Sequence, residues 1–132
     1  MKLFDSSFAA LEKALDVRFK RHAVLAGNAA NSETPGYRAR EVDFAGELKA
    51  AFEQQEQTVA RTNPAHMDIG GANRSFITYD PSGAVGSDGN NVDLELMMGK
   101  LSENGRAYNE AVNFLSIKFR LLRLAARDRG GA

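Results

Sequence analysis

The chain has 132 residues, 43% of them hydrophobic, which is enough for one domain with a modest core and too apolar for a wholly disordered protein. Its 17 basic and 17 acidic side chains balance, so the net charge indicates neither a nucleic acid nor an acidic membrane as a partner. The absence of cysteine excludes disulfides, thiolate metal sites and cysteine nucleophiles.

The first predicted element is a long N-terminal helix over residues 1–33. Apolar residues recur there at alternating steps of four and three, as in a coiled coil, and alanine and leucine favour the helix throughout. The resulting seam comprises Phe4, Phe8, Leu11, Leu15, Arg18, His22, Leu25 and Ala29.

The N-terminus does not have the pattern of a secretory signal peptide. Asp5, Ser6 and Ser7 interrupt the position where such a signal has an unbroken apolar core. No window approaches the roughly 18 apolar residues of a membrane span. If the protein leaves the cytosol, we expect it to do so without a cleaved signal peptide.

A turn sequence follows the first helix. Asn31 is suited to end the helix in the left-handed conformation, and Pro35 and Gly36 suit the central positions of a type II turn. Residues 34–37 should therefore reverse the chain. Asn28 and Asn31 share one helix face, where their amides can bond to a neighbouring backbone and fix register; a plain helix stop explains the same spacing.

Residues 34–90 form a middle segment of different character. The segment holds all three prolines and keeps no long apolar period. We expect it to be largely irregular, with a short polar helix over 47–60 and a strand or extended piece over 75–79. A connection of this length is either partly disordered or ordered by a partner.

The strongest periodic pattern predicts a C-terminal helix over residues 91–132. Asn90 and Asn91 are suited to cap its start, and arginines near its end favour the negative end of the helix dipole. Its seam repeats at four and three: Leu94, Met98, Leu101, Gly105, Tyr108, Val112, Leu115, Phe119, Leu122 and Ala126. The expected fold is therefore mainly α, with two long antiparallel terminal helices in a coiled-coil-like hairpin.

The later part of this helix carries a second apolar stripe, formed by Phe114, Ile117, Leu121 and Leu124. A helix in a two-helix hairpin buries only one face, so we expect the second stripe to contact another molecule; folding under the middle segment is the alternative. The residues expected to pack against other subunits are Leu11, Leu15, Leu25, Leu101, Tyr108, Val112, Leu115, Ile117, Phe119, Leu121 and Leu122.

The residues indicate no catalytic or metal site. His22 and His66 lack ligand spacing, and no serine lies in a nucleophile elbow. Residues 88–93 resemble a calcium loop only superficially, because the glycine is misplaced and the required glutamate is missing. We expect no cofactor and no small-molecule substrate, and the basic clusters are typical of solvated helix faces and not of nucleic-acid sites.

Several stretches resemble the bacterial flagellar rod and hook proteins. The N-terminal signature of that family has two asparagines ahead of a threonine-proline-glycine turn. The same order is present here in Asn28, Asn31, Thr34, Pro35, Gly36 and Tyr37. Residues 38–44, 62–67, 88–95 and 100–104 are similar to further elements of the family, so the resemblance covers nearly the whole chain.

The resemblance implies a structural, non-enzymatic subunit of the flagellar basal body. The implied proximal rod joins the export gate and MS ring to the distal rod, transmits torque and surrounds the export channel. Implied partners are other copies of the chain, the rod protein FlgC, the rod-base protein FliE and the export gate, in the periplasmic space. The residues alone leave two alternatives open, a soluble coiled-coil adaptor and a small ligand-binding helical domain.

Overall fold

A computed structural model describes residues 2–56 and 76–129, with the side chains of 7–50 and 76–127. The elements follow in the order α1 (Lys2–Ala30), β1 (Arg40–Val42), α2 (Phe44–Glu56), β2 (Ile77–Tyr79) and α3 (Leu94–Arg129). The predicted fold class is confirmed, because two long terminal helices flank a middle segment whose described parts form one short helix and two short strands. No described helix is both long and apolar enough to cross a membrane.

The helices α1 and α3 pack as an antiparallel hairpin. Asn28, near the end of α1, lies against Met97 at the start of α3, with 3.5 Å between Nδ2 and Sδ. At the other end of the pair, the ring centroids of Phe8 and Phe119 are 5.0 Å apart. Residue numbers therefore decrease along α1 in the direction in which they increase along α3, so the two helices are antiparallel.

The buried side of the hairpin agrees with the predicted seams only in part. On α1, Leu25 of the predicted seam is fully buried, whereas His22 of the seam is exposed. At the start of α3, Met97 is fully buried, whereas Met98 of the predicted seam is 57% exposed. Asn104 is also buried in this contact, and an asparagine carries no apolar signal.

The described part of the middle segment contains the short helix and the β piece that the sequence predicts. The predicted helix is present as α2, but it starts earlier because Asp43 caps it: the Gly46 N–H donates to Asp43 Oδ1 at 3.1 Å. The strand β2 lies within the predicted extended piece, and β1, which the sequence analysis missed, pairs with it antiparallel. The end of the predicted helix at 57–60, the family-like stretch 62–67 and His66 lie outside the described residues.

Burial is concentrated where the hairpin meets the two strands. The buried residues are Val17, Leu25, Asn28, Ala39, Val42, Asp80, Asn90, Asn91, Met97 and Asn104. Half of this group is polar, so hydrogen bonds and not apolar contact alone hold this end together. No described side chain after Asn104 is buried. We call this end of the hairpin the closed end, and α3 beyond Asn104 the apolar arm.

Candidate functional site

Four asparagines at the closed end, Asn28, Asn31, Asn90 and Asn91, form what we call the asparagine cluster. Asn28 bonds to the main chain of β1 in both directions: its Nδ2 donates to the Arg40 oxygen at 2.6 Å, and the Arg40 N–H donates to its Oδ1 at 3.0 Å. The Tyr37 hydroxyl donates to the same Oδ1 at 3.3 Å. The Asn28 amide therefore pairs with both main-chain groups of Arg40, as a residue of a neighbouring strand does. These bonds fix β1 against α1.

Asn90 binds the segment that follows α1 from a distant point in the sequence. Its Nδ2 lies within hydrogen-bond distance of the main-chain oxygens of Asn31 at 2.9 Å, Ser32 at 3.0 Å and Thr34 at 2.8 Å. These oxygens belong to the turn segment that follows α1, so one amide group holds this segment against the start of α3. The Asn90 Oδ1 accepts from the Val92 N–H at 2.7 Å.

Asn91 joins the two strand segments to the start of α3. Its Oδ1 accepts from the Ala39 N–H at 2.7 Å. Its Nδ2 donates to the Asp80 main-chain oxygen at 2.8 Å and to the Tyr79 hydroxyl at 3.1 Å. Since Asn91 is fully buried, an unpaired amide here would carry its full desolvation cost.

The predicted chain reversal at residues 34–37 has the geometry of a type II turn. Gly36 has a φ of 70°, and the Tyr37 N–H donates to the Thr34 oxygen at 3.2 Å. Thr34, Pro35 and Gly36 are exposed, and Tyr37 is half-buried. The Gly36 N–H donates to the Asp88 oxygen at 2.9 Å, so the turn also contacts the segment that leads into α3.

The prediction that Asn31 ends α1 in the left-handed conformation is wrong. No described residue other than glycine has a positive φ. Asn31 instead folds its side chain back onto the helix, where Nδ2 donates to the Gly27 oxygen at 2.8 Å. Its Oδ1 accepts from the Thr34 hydroxyl at 3.1 Å. These side-chain bonds stabilise the helix end without a strained backbone.

The prediction that Asn90 or Asn91 caps α3 is also wrong. The cap is Asp93, whose Oδ1 accepts from the Leu96 N–H at 3.1 Å. The two asparagines are used for contacts with α1 and the strands instead. Asparagine and aspartate are both favourable caps, so composition alone does not separate these roles.

An ion-pair cluster lies beside the asparagine cluster. Arg21 donates to Glu41 through Nε at 2.8 Å and Nη2 at 3.0 Å. Lys100 Nζ lies 2.5 Å from Asp80 Oδ2 and 3.5 Å from Glu41 Oε2. These four residues connect α1, β1, the segment after β2, and α3.

The ion-pair cluster shifts both carboxyl groups in the same direction. Burial disfavours the charged form of Glu41, but the hydrogen bonds from Arg21 and the Val42 N–H hold the pKa of Glu41 below its ordinary value. Burial likewise opposes ionisation of Asp80, and the hydrogen bonds from Lys100 and Ser82 keep the pKa of Asp80 low. Both groups are therefore carboxylates at neutral pH.

The apolar arm presents large side chains to solvent. Phe114 is 62% exposed, and Leu124, Leu121 and Ile117 are each about half exposed. Phe119 is exposed on another side of the helix, although its ring contacts Phe8. Exposed apolar groups of this size and continuity mark contact surfaces.

The residues expected to pack against other subunits differ in exposure. Ile117, Phe119, Leu121 and Tyr108 are exposed, and Leu11, Leu15, Leu101, Val112, Leu115 and Leu122 are partly buried. Leu25 is fully buried, so it has no surface for a neighbour. Leu25 is a core residue of the single chain because α1 packs there against the closed end.

Some residues of the site could not be found from the sequence. Asn91 and Ala39 are separated by 52 positions, and no local pattern links them. The Arg21–Glu41 and Lys100–Asp80 pairs are likewise contacts between different elements. In the part of the chain that the structure describes, no group of three or more histidine, cysteine or acidic residues is arranged to hold a metal ion.

Comparison with known proteins assigns the chain to a family. No protein-family model matches it. A protein of Aeromonas hydrophila is 33% identical over 116 residues, covering 87% of this chain and 88% of its own. A protein of Proteus mirabilis strain HI4320 is 31% identical, with coverages of 85% and 87%, and one of Bacillus subtilis strain 168 is 29% identical, with coverages of 93% and 95%. All three are named flagellar basal body rod protein FlgB, a name that describes a rod component and no reaction. The chain belongs to the FlgB family of flagellar basal body rod proteins.

Proposed function

We propose that this protein is a structural subunit of the proximal flagellar rod, in which its terminal helices pack against neighbouring subunits to form a tube. The rod joins the export gate and MS ring to the distal rod, transmits torque and surrounds the export channel. The observation that carries the proposal is the exposed apolar arm. The rod name of its relatives supports the same assignment.

The apolar arm needs a neighbour to complete its packing. Burying one large apolar side chain contributes about 1.5–3 kcal/mol, and the stripe on α3 has four such residues at about half exposure or more. A contact between different faces of identical or related subunits repeats without closing on itself and generates a helical assembly. Such a contact suits a tubular rod.

The closed end has a different role in this proposal. The asparagine cluster and the turn formed by Thr34, Pro35, Gly36 and Tyr37 fix how the hairpin is joined to the strands. A subunit that transmits torque must hold this junction rigid, and buried, fully paired amides supply directional contacts. The closed end thus presents the apolar arm at a defined angle.

The proposed neighbours are other copies of the chain, the rod protein FlgC, the rod-base protein FliE and the export gate. We place the assembled protein in the periplasmic part of the basal body, reached by flagellar export.

The experiment replaces two residues of the exposed stripe, Ile117→Asp together with Leu121→Asp, in a flagellated host that lacks its own copy of the protein. We expect loss of swimming and absence of rods, because two carboxylates in a packed apolar contact carry a large desolvation cost. Leu115 is avoided because it is partly buried, and a charge there would also disturb the hairpin.

The matched control is Asn109→Asp together with Ser116→Asp, which adds the same charge to exposed polar positions of α3 outside the stripe. The control should swim, and both variants should keep the helical content of the original chain. Normal swimming of the Ile117→Asp, Leu121→Asp variant would remove the apolar arm from the proposal. A stable dimer of the isolated chain would instead favour the soluble coiled-coil adaptor.

A further inference from the structure

Within the described residues, the two-stranded sheet leaves one edge of β2 without a partner strand. On either side of β2, the Phe76 oxygen and the Asp80 N–H bond to the segment around β1, at 2.8 and 2.9 Å. Antiparallel pairing alternates, so Thr78 faces β1 between them, and the N–H and C=O groups of Ile77 and Tyr79 point away from β1.

The opposite edge of the sheet is already occupied. The outward main-chain groups of Arg40 bond to the Asn28 side chain at 2.6 and 3.0 Å, and the Val42 N–H donates to the Glu41 carboxylate at 3.0 Å. Among the described residues, nothing pairs in this way with the outward groups of Ile77 and Tyr79. An unpaired strand edge is a template for a further strand.

A groove next to this edge indicates what kind of strand it accepts. The groove has a volume of about 580 Å³ and is lined by residues 36–40 and 77–79. Ile77 is 45% exposed and Tyr79 is 50% exposed. Arg40 lies directly opposite Tyr79, so its side chain shares a sheet face with Tyr79 and Ile77, and Arg38, two residues earlier, follows the same alternation.

The two arginines give the groove a positive charge. Arg38 and Arg40 are exposed, and neither forms an ion pair within the described parts of the chain, in contrast to Arg21 and Lys100. Two strand spacings of about 4.8 Å separate β1 from a strand added beyond β2. An arginine and a glutamate that extend toward each other cover this distance.

We propose that the open edge of β2 binds an extended, acidic segment of another protein subunit by strand addition. The main chain of that segment pairs with Ile77 and Tyr79, and carboxylates on alternate residues contact Arg38 and Arg40. The apolar side chains of Ile77 and Tyr79 cover the added strand on the same face. This surface is separate from the apolar arm, so the inference does not depend on the proposed rod contacts.

The test is a nuclear magnetic resonance titration of the ¹⁵N-labelled full chain with the peptide acetyl-Thr-Glu-Thr-Glu-Thr-Glu-amide. We expect the Ile77 and Tyr79 amide signals to shift and their exchange with solvent to slow. The matched peptide with lysine in place of glutamate should bind up to about tenfold more weakly, the change that two exposed ion pairs support.

Two variants separate the edge from the charge. Ile77→Pro removes an outward N–H and leaves the bonds to β1 in place, so it should abolish binding while circular dichroism remains unchanged. Arg38→Glu together with Arg40→Glu should reverse the preference in favour of the lysine peptide. If Ile77→Pro does not fold, the charge-reversal variant decides the outcome.

Three results would overturn the inference. The first is an acidic peptide that leaves the Ile77 and Tyr79 signals unchanged. The second is equal binding of the acidic and lysine peptides, or no reversal in the charge variant. The third is strong exchange protection of both amides in the free chain, which would mean that the chain itself covers the edge. Swimming plays no part in this test, so its result is distinct from that of the rod experiment.

Discussion

Asn28 joins α1 to β1 through its side-chain amide. It is fully buried, and it satisfies both the N–H and the C=O of Arg40. The sequence placed Asn28 and Asn31 on one face with amides available to a neighbouring backbone. Only Asn28 reaches such a neighbour, because the Asn31 amide bonds within α1.

Replacing Asn28 with alanine should lower the free energy of unfolding by about 2–3 kcal/mol, because two main-chain groups of Arg40 lose their partner beside a buried site. Denaturant unfolding followed by circular dichroism measures the change. Asn109→Ala, at an exposed position on α3, should stay within about 0.5 kcal/mol of the original chain. Equal effects of the two substitutions would contradict the role assigned to Asn28.

Local residue patterns predict the turn at residues 34–37, but they do not predict the other contacts between α1, the strands and α3. Residues 34–37 form their turn through proline and glycine preferences that act over four positions, so the sequence alone predicts it. Asn90 and Asn91 contact groups more than 50 positions away along the chain. Their contacts depend on how α1, β1 and α3 pack together, and no pattern in the neighbouring residues of the sequence indicates that arrangement.

Among the elements, the short strands are held to both long helices by the ion-pair cluster of Arg21, Glu41, Lys100 and Asp80. The pKa values of Glu41 and Asp80 are lower in the folded chain than in the unfolded chain. Their contribution to stability is therefore complete above pH of about 4.5, and it is lost as the pH falls through the folded-state values.

We expect the free energy of unfolding to decrease as the pH is lowered below about 4.5. Glu41→Gln and Asp80→Asn should each make this decrease shallower, since fewer protons are then taken up on unfolding. Glu110→Gln, at an exposed position, is the control and should keep the original slope. Denaturant titrations at a series of pH values give the slopes; identical slopes for all four proteins would rule out the ion-pair cluster as the source.

The helix α3 has two parts with different packing. Its first part carries the buried Met97 and Asn104, and none of the described side chains after Asn104 is buried. Hydrogen exchange of the isolated chain should therefore be slowest around residues 97–104 and faster beyond residue 112, since opening of the apolar arm breaks few buried contacts. Uniform protection along α3 would contradict this division.

The sequence predicted the helices well and β1 not at all. Long helices leave a repeated apolar signal, whereas β1 is a three-residue strand with charged residues at two positions. At the start of α3 the seam was misplaced by one position, because the prediction counted only apolar residues and the buried Asn104 is polar. The Asn104 Nδ2 donates to the Arg18 oxygen at 2.9 Å.

For the molecule as a whole, the closed end is held together within the single chain, although the buried Asn104 Oδ1 has no hydrogen-bond partner among the described residues. Hydrogen-bonded amides and ion pairs join the elements of the closed end, while Phe114, Ile117 and Leu121 of the apolar arm remain exposed. A subunit of this kind is suited to assembly, because its rigid end orients a surface that other subunits cover. We propose that other subunits bury this surface in the rod.

Cysteine labelling of Ile117→Cys tests this claim most directly, because the chain has no cysteine of its own. The purified variant should react readily with a water-soluble maleimide, since Ile117 is 49% exposed in the single chain. In isolated basal bodies the same cysteine should react at least about tenfold more slowly, as expected for a group that reacts only after local opening, and it should regain full reactivity once the rods are dissociated. Equal reactivity in the free chain and in intact basal bodies would contradict the account.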